Sequence, residues 1–265
     1  MNRKTKSLKI LAALTAFLLI GLILAVTNAF TGNPVSRALA QRAVERYAAE
    51  QYGSLDLEVG KVQYSFKFGN YTAYLQSETS PDTAFYVSCG SRGNVLEDGY
   101  DSYVRSGWNT MQRISEQYAH AVESLIRSQG DAELDMVSAE LNRDGSYPLS
   151  RLQLDMTYDI YSGEIPGAVS LYLYAEELSW EKVAQAALRL DSLLSENRLP
   201  ADEYTVVLKP LSAKEGRRGE YLGVYEFPRE LLQSDDLPEV MEQHYRLWEE
   251  KSSRDKGLEL QYGES

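Results

Sequence analysis

The chain has 265 residues, of which 43% are hydrophobic and 25% are charged. These are the proportions of a folded globular protein rather than a disordered one, and the length suffices for one large domain or two small ones. The formal net charge of −12 disfavours binding to nucleic acids and to anionic lipid surfaces. A single cysteine excludes an intramolecular disulfide bond.

Tyrosine dominates the aromatic residues, with 19 Tyr against 6 Phe and 3 Trp. Tyr favours half-buried strand positions because it combines an apolar ring with a polar hydroxyl group. So many tyrosines are therefore typical of β-sheet faces, and a binding surface is the alternative interpretation.

The first 30 residues differ from the remainder in charge and hydropathy. Their charged residues are Arg3, Lys4, Lys6 and Lys9. The remainder has 23 basic and 39 acidic residues, a net charge of −16. Residues 10–30 carry no charge, and a helix of this length rises about 31 Å, enough to cross a hydrocarbon core. The positive-inside rule then predicts a cytoplasmic basic tail and transmembrane helix over residues 1–31, with residues 31–265 extracytoplasmic.

Three alternatives compete with a membrane anchor over residues 10–30. A buried core helix is disfavoured, because such a helix would not lie at the extreme N-terminus with a basic flank and no polar face. A cleaved signal peptide has a shorter apolar region, but Thr27-Asn28-Ala29 is a fair cleavage site. A lipoprotein needs a cysteine directly after the apolar run, and the only cysteine is Cys89. The favoured hypothesis is a single-pass protein of the cell membrane with a cytoplasmic N-terminus.

Residues 32–105 predict a first module with the order α-β-β-β. Asn33 is a typical N-cap and Pro34 a typical first helical residue, so a helix is predicted over residues 34–52, ending at Gly53. Alternating apolar residues then predict three strands joined by turns. These strands cover residues 57–66 with a bulge near Gly60, 71–77 and 84–89.

Residues 106–252 predict a second module, an antiparallel sheet with further helices, and residues 253–265 a polar tail. The helices cover residues 105–128, a segment capped by Ser179 and closed by Pro200, and residues 237–251. The strands cover residues 132–141, 151–161, 168–175, 203–209 and 219–227, with a basic turn at Arg217-Arg218-Gly219. The predicted fold class is therefore α+β, an N-terminal transmembrane helix followed by two small modules.

Several of these features occur together in a known family. After the basic N-terminus and apolar helix come Gly32-Asn33-Pro34, a helix ending in Tyr52-Gly53, and the run Tyr64–Tyr71 (YSFKFGNY) with Ala73-Tyr74. This pattern resembles the YfjL-like proteins of Gram-positive bacteria, most specifically over residues 30–105. The resemblance implies a membrane-anchored protein of two modules with no assigned activity. The α-β-β-β order also resembles a PepSY or cystatin-like unit, which concerns the fold and not the function.

Few residues could form a catalytic or metal site. His120 lies off the apolar stripe of its helix and is expected in solvent. His244 lies beside an apolar face, where a packed, hydrogen-bonded histidine is the favoured interpretation. Neither a zinc-protease motif nor a serine-nucleophile motif accompanies them. Cys89 is expected to be half-buried and structural, because the sequence supplies no nearby base.

Acidic residues are numerous, but they form no recognisable site. Residues 97–101 (EDGYD) loosely resemble a cation-binding loop and lack the EF-hand spacing. Asp131, Glu133 and Asp135 alternate along a predicted strand, where a solvated, charged edge is the favoured interpretation. Phosphate-binding glycine motifs are absent, which disfavours nucleotide use. The sequence therefore predicts no catalytic, cofactor-binding or metal-binding residue, and no cofactor.

These observations predict a non-enzymatic binding or regulatory protein at the bacterial cell envelope. Its partner is expected to be an envelope protein or a cell-wall polymer, and not a nucleic acid. An envelope hydrolase using dispersed carboxylates is the first alternative, and it requires a pocket with two convergent carboxylates. A spacer whose helix packs through Gly21 and Ala25 is the second. The oligomeric state stays open.

Overall fold

The computed structural model describes the backbone of residues 3–215 and 219–262, and the side chains of residues 12–23, 26–27, 30–215 and 219–253. It is a mixed α+β fold with two sheets. The chain divides into two compact units, Met1–Thr110 with Gln153–Asp155, and Met111–Leu152 with Met156–Ser265. Some predicted features lie outside the described side chains: the basic tail over residues 1–9, Ala25 of the helix-packing pair, Asn28-Ala29 of the cleavage site, the turn at Arg217-Arg218, and the polar tail beyond residue 253.

The N-terminal helix α1 runs over Arg3–Thr31. Within the described residues, no helix combines the length and the apolarity that a membrane span requires. The transmembrane helix predicted over residues 10–30 is therefore wrong as an element of this fold.

The first helix predicted after the N-terminal segment is confirmed as α2, Pro34–Tyr52. Asn33 caps it, because its side-chain oxygen accepts a hydrogen bond from the backbone N–H of Val35 at 2.7 Å. Pro34 occupies the first turn, where its missing N–H is not needed. The side chains that α2 buries are small, which lets the helix lie close to the sheet. They are Ala40, Val44 and Ala48.

Five strands form the first sheet. They are β1 (Leu57–Val59), β2 (Gln63–Ser65), β3 (Asn70–Ser77), β4 (Ala84–Cys89) and β5 (Val95–Asp98). The antiparallel order is β1-β3-β4-β5, and β2 also pairs with β3. The predicted strand over residues 57–66 is thus two strands that pair with successive halves of β3. Gly60 lies between them, where its N–H donates to the Tyr74 carbonyl and an added Cβ would lie only 2.8 Å from that oxygen.

The first unit therefore has more strands than the predicted α-β-β-β order. Strand β5 is a short edge strand whose apolar residues, Val95 and Leu96, are adjacent rather than alternating, so it lacks the period-two pattern. A single π-helical turn, Asp101–Arg105, follows it. Along β3, the side chains of Tyr71, Ala73 and Leu75 are buried on the face that packs against α2.

In its described residues, the second unit contains three α-helices and four strands. They are α3 (Trp108–Ser128), β6 (Leu134–Leu141), β7 (Gly167–Ala175), α4 (Trp180–Glu196), β8 (Glu203–Pro210), β9 (Leu222–Pro228) and α5 (Leu237–Tyr262). The sheet order is β6-β7-β8-β9. The predicted all-antiparallel sheet is wrong at one pair, since β7 and β8 are parallel. Helix α4 supplies the crossover that parallel neighbours need.

The strand predicted over residues 151–161 is wrong. Leu149–Arg151 form a short 3₁₀ turn, and residues 152–166, all of them described, contain no strand. Asp155 has a positive φ of 58°, and its carboxylate accepts a hydrogen bond from the N–H of Asp82 at 3.0 Å. The Asp82 carboxylate accepts one from the N–H of Asp155 at 2.9 Å. The left-handed backbone and these paired bonds replace the ladder that a strand would form.

The last helix extends past its predicted end at residue 251, to Tyr262. Trp248 stacks on Tyr225 of β9, with ring centroids 4.3 Å apart and an interplanar angle of 16°. One turn earlier, His244 packs edge-on against Phe227, and its Nε2 lies 3.0 Å from the Tyr225 carbonyl. These contacts hold α5 against β9. The prediction that His244 is packed and hydrogen-bonded is confirmed.

Candidate functional site

The candidate site is the face of the first sheet opposite α2, which we call the open face. Its side chains alternate along the strands with the buried ones, because successive residues of a strand point to opposite faces. They come from β2, β3, β4 and β5. The open face comprises Gln63, Ser65, Asn70, Thr72, Tyr74, Gln76, Tyr86, Ser88 and Glu97.

A row of polar side chains crosses the middle of the open face. The strand register places Gln63 beside Thr72, Thr72 beside Ser88, and Ser88 beside Glu97. The hydroxyl groups of Thr72 and Ser88 lie 3.4 Å apart, and the side-chain N–H of Asn70 donates to Ser88 at 2.8 Å. This row carries a single formal charge, at Glu97. It therefore offers three neutral hydrogen-bonding side chains and one carboxylate along a line of about 15 Å, four strands at ~4.8 Å spacing.

Two tyrosines border this polar row on one side. Tyr74 and Tyr86 are direct cross-strand partners, which places their Cβ atoms about 5 Å apart. The Tyr74 side chain is 69% exposed. The Tyr86 hydroxyl donates to Glu97 at 2.7 Å, and this hydrogen bond, with burial, raises the pKa of Tyr86 to about 12. Tyr86 is thus a neutral hydrogen-bonding group at physiological pH.

Two phenylalanines border the row on the other side. Phe66 and Phe68 lie in the turn between β2 and β3 and are 66% and 72% exposed. Lys67 between them places its ammonium group 5.4 Å from the Phe68 ring centroid. The Phe66 ring also lies 6.0 Å from that of Phe30 at the end of α1. Together the tyrosines and phenylalanines enclose a groove of about 630 Å³, within the range of ligand-binding clefts.

One acceptor at the floor of the groove is unused. The Oδ1 atom of Asn70 is buried and has no hydrogen-bond partner among the described residues. Leaving such an acceptor unpaired costs about 1–3 kcal/mol. A donor that reaches it after a small side-chain shift would recover part of this free energy, so the floor favours a ligand with O–H or N–H groups.

Family comparisons place this groove in a known domain. A YfjL-like, N-terminal domain matches residues 7–99, and a YfjL-like C-terminal domain matches residues 117–242. The chain belongs to the YfjL-like family. The resemblance predicted from its sequence is thereby confirmed, and the open face lies within the N-terminal domain of this YfjL-like protein.

A solved structure gives a weaker comparison for the YfjL-like chain. The crystal structure of a DUF5037 family protein from Ruminococcus gnavus ATCC 29149 is 15% identical, with a TM-score of 0.23. The alignment covers 78% of this chain and 98% of that one. A TM-score this low supports no conclusion on fold or function. No protein of curated function matches the chain.

The residues that sequence reasoning singled out do not converge on one site. Cys89 is fully buried at the end of β4, and burial raises the pKa of its thiol. This agrees with a structural cysteine, since a raised pKa lowers the fraction of reactive thiolate. His120 lies on α3, where its Nδ1 is 3.2 Å from the Ser124 hydroxyl.

The acidic residues also have separate structural roles. Asp98 accepts hydrogen bonds from Tyr47 and from Tyr52, the latter at 3.0 Å, and so joins α2 to β5. Asp135 pairs with Lys209 at 2.6 Å, whereas Asp131 pairs with Arg189 at 3.4 Å. A register shift between residues 134 and 136 breaks the predicted alternation. Among the described residues, no group of three or more His, Cys, Asp or Glu side chains could hold a metal ion.

The carboxylates that do converge surround Arg143. Its guanidinium lies 3.3 Å from Glu140, 3.3 Å from Glu203 and 3.4 Å from Glu226. The Glu203 oxygen is buried without a hydrogen bond, so this contact is an ion pair only. Burial raises the pKa of Glu203; Arg143 opposes that shift, and the neighbouring carboxylates add to it. The ionised form of the Glu203 carboxyl is therefore less favourable in the folded protein than in the unfolded chain.

We expect the variant Glu203→Gln to raise the melting temperature by roughly 1–3 °C at pH 7 and to leave it unchanged at pH 4. A raised folded-state pKa gives stability that is full below the unfolded pKa and is lost as the pH rises through the folded pKa. Glutamine is neutral throughout and escapes this loss. Thermal unfolding across this pH range checks the prediction. A lower melting temperature at pH 7 would show that the Arg143 pair outweighs burial.

Proposed function

We propose that this YfjL-like protein is a non-enzymatic binding protein of the bacterial cell envelope, and that its open face binds a neutral glycan chain. The observation that carries the proposal is the row of polar side chains, neutral except for Glu97, between exposed aromatic rings. Sugar rings have apolar C–H faces that pack on aromatic rings, and hydroxyl groups that need donors and acceptors. The open face offers both aromatic rings and hydrogen-bonding groups.

The charge distribution favours a neutral glycan over an anionic one. Glu97 is the charged group of the polar row, and residues 31–265 carry a net charge of −16, so a polymer rich in phosphate or carboxylate would be repelled. A neutral N-acetylated glycan carries hydroxyl and amide groups instead. Its N–H and O–H groups match the unused acceptor on Asn70.

The exposed side chains of α1 support a location at the membrane. All described side chains over residues 12–23 are exposed, among them Phe17 at 74% and Leu18 at 71%. A helix that is apolar all round needs an apolar partner. Phe30 and Phe66 extend this apolar surface to the edge of the open face. We therefore include contact with lipid in the proposal, with the two units outside the cytoplasm.

Liposome flotation tests the membrane part of the proposal. We expect the full-length protein to float with vesicles of neutral phosphatidylcholine. The double variant Phe17→Glu/Leu18→Glu should float severalfold less, because charged side chains are costly in an apolar phase. Equal flotation of both proteins would show that α1 does not make the contact.

Co-sedimentation with cell-wall glycan tests the binding part. The full-length protein is mixed with peptidoglycan sacculi stripped of their anionic polymers, and separately with unstripped sacculi. We expect retention on the stripped sacculi that is equal to or stronger than that on the unstripped ones. A protein left in the supernatant of the stripped sacculi would contradict a glycan-binding open face.

The hydrolase alternative would rest on Glu203 and Glu226, two of the three carboxylates that the fold brings together around Arg143. Both pair with Arg143, and Glu226 sits at a bulge with a positive φ of 51°. An ion cluster around one arginine accounts for this geometry. The glycan-binding proposal is favoured because the groove of the open face contains aromatic and neutral polar groups instead of paired carboxylates.

A further inference from the structure

A second cavity lies within the second unit, about 370 Å³ in volume. It opens between the C-terminal end of α3, the start of β6, the C-terminal end of β7 and one side of α4. It holds the volume of about twelve water molecules at ~30 Å³ each. The cavity thus has room for a small organic molecule, and it shares no residue with the open face.

The floor of this cavity is apolar. Ile126, Leu171, Leu190 and Leu208 line it, and each is less than 10% exposed. Protein interiors are close-packed, so an unfilled apolar space beside the core forgoes dispersion contacts. A ligand with an apolar body would supply those contacts and displace water that has few polar partners there.

The mouth of the cavity carries charged side chains, and its basic side chains already have partners. Arg189 pairs with Asp131 at 3.4 Å, and Lys182 pairs with Glu177 at 3.5 Å. Lys214, near the same rim, donates to the Ala132 carbonyl at 3.2 Å and lies over the Tyr174 ring.

Two carboxylates at the mouth have no basic partner among the described residues. Within the described residues, Glu133 and Glu176 form no ion pair, although both line the opening. The mouth thus presents spare negative charge above an apolar floor. The formal charge of −12 on the chain adds a long-range attraction for cations.

We propose that this cavity binds a small amphipathic organic cation, with its apolar body on the leucine floor and its protonated amine beside Glu133 and Glu176. Apolar burial supplies most of the affinity, and the two carboxylates select the charge of the ligand. This site is separate from the open face, and it stands whether or not the open face binds a glycan.

Titration calorimetry of the full-length protein in amphipol, with two soluble probes of matched shape, tests the proposal. The probes are 4-phenylbutylamine, a cation at pH 7, and 4-phenylbutanoate, an anion. We expect the amine to bind with a Kd below about 1 mM, typical for a ligand of this size, and the anion at least tenfold more weakly. Equal affinities for the two probes would overturn the assignment of a cation site.

Two variants locate the site. The surface variant Glu133→Gln/Glu176→Gln should weaken amine binding about three- to tenfold and leave the fold intact, because both side chains are exposed. The variant Ala186→Phe should abolish binding by filling the cavity. Glu230→Gln, an exposed charge outside the cavity, is the matched control and should change nothing. Amine binding that survives both variants would place it elsewhere and contradict the proposal.

Discussion

Replacing Tyr74 and Tyr86 together with alanine is expected to lower the affinity for stripped cell-wall glycan at least tenfold, or about 1.4 kcal/mol. Both rings stand beside the polar row, and each would lose its packing against a sugar face. The change also removes the hydroxyl that Tyr86 donates to Glu97. Co-sedimentation at a series of glycan concentrations measures the loss.

A matched variant separates this effect from a general loss of surface tyrosine. Tyr161 and Tyr221 are 52% and 51% exposed, and both lie in the second unit. Their double alanine variant should bind glycan like the unmodified protein. Should the two double variants lose the same affinity, retention would depend on aromatic surface in general and not on the open face.

The largest loss of stability is expected for Tyr71→Ala, about 4 kcal/mol in the unfolding free energy of the first unit. The ring is fully buried between β3 and α2, and deleting a buried aromatic ring costs about 3–5 kcal/mol. Its hydroxyl oxygen also accepts a hydrogen bond from the N–H of Asn33 at 2.8 Å, which fixes the start of α2. Tyr71→Phe keeps the ring and should cost only about 1 kcal/mol.

Cys89 provides a local readout of this loss. It pairs directly with Tyr71 across β3 and β4, is fully buried, and is the single cysteine of the chain. We expect its reaction with a thiol reagent to be at least 100-fold faster in Tyr71→Ala, because labelling requires local opening. Tyr74→Ala, on the open face of the same strand, is the control and should change the rate little. A slow rate in Tyr71→Ala would mean that this core does not depend on the ring.

Local signals made the first unit largely predictable. Asn33 and Pro34 mark the start of α2, and alternation along β3 and β4 separates buried from exposed residues. Gly32 of the family pattern has a positive φ of 73°, and an added Cβ would lie 2.7 Å from the Tyr64 ring. The glycine at this position of the family pattern therefore has a physical reason, since only glycine adopts this backbone conformation in this space without strain.

Features fixed by pairing with another segment were not predictable. Strand β5 forms because β4 offers it an edge, and its own residues lack alternation. The segment around Asp155 avoids a strand because it bonds to Asp82, 73 residues earlier. Such pairings depend on tertiary structure, which local propensity does not encode.

The candidate site illustrates the same limit. Sequence analysis identified a tyrosine-rich protein and strands that carry Thr72 and Tyr74, but it did not predict β5. Glu97 therefore could not be placed beside Ser88, and the fourth residue of the polar row could not be predicted. The exposed Phe66 and Phe68 lie in a turn, where the period-two alternation of a strand does not predict on which side of the sheet a side chain lies. Only the sheet register brings these groups together.

The central claim is that the open face binds a neutral glycan, and calorimetric titration of the full-length protein in amphipol with a soluble tetramer of N-acetylglucosamine tests it most directly. We predict saturable binding with a Kd in the range of roughly 10 to 500 µM, lost in Tyr74→Ala/Tyr86→Ala and kept in the Tyr161/Tyr221 control. Absence of binding at millimolar tetramer, or binding that the Tyr74/Tyr86 variant retains in full, would contradict the claim.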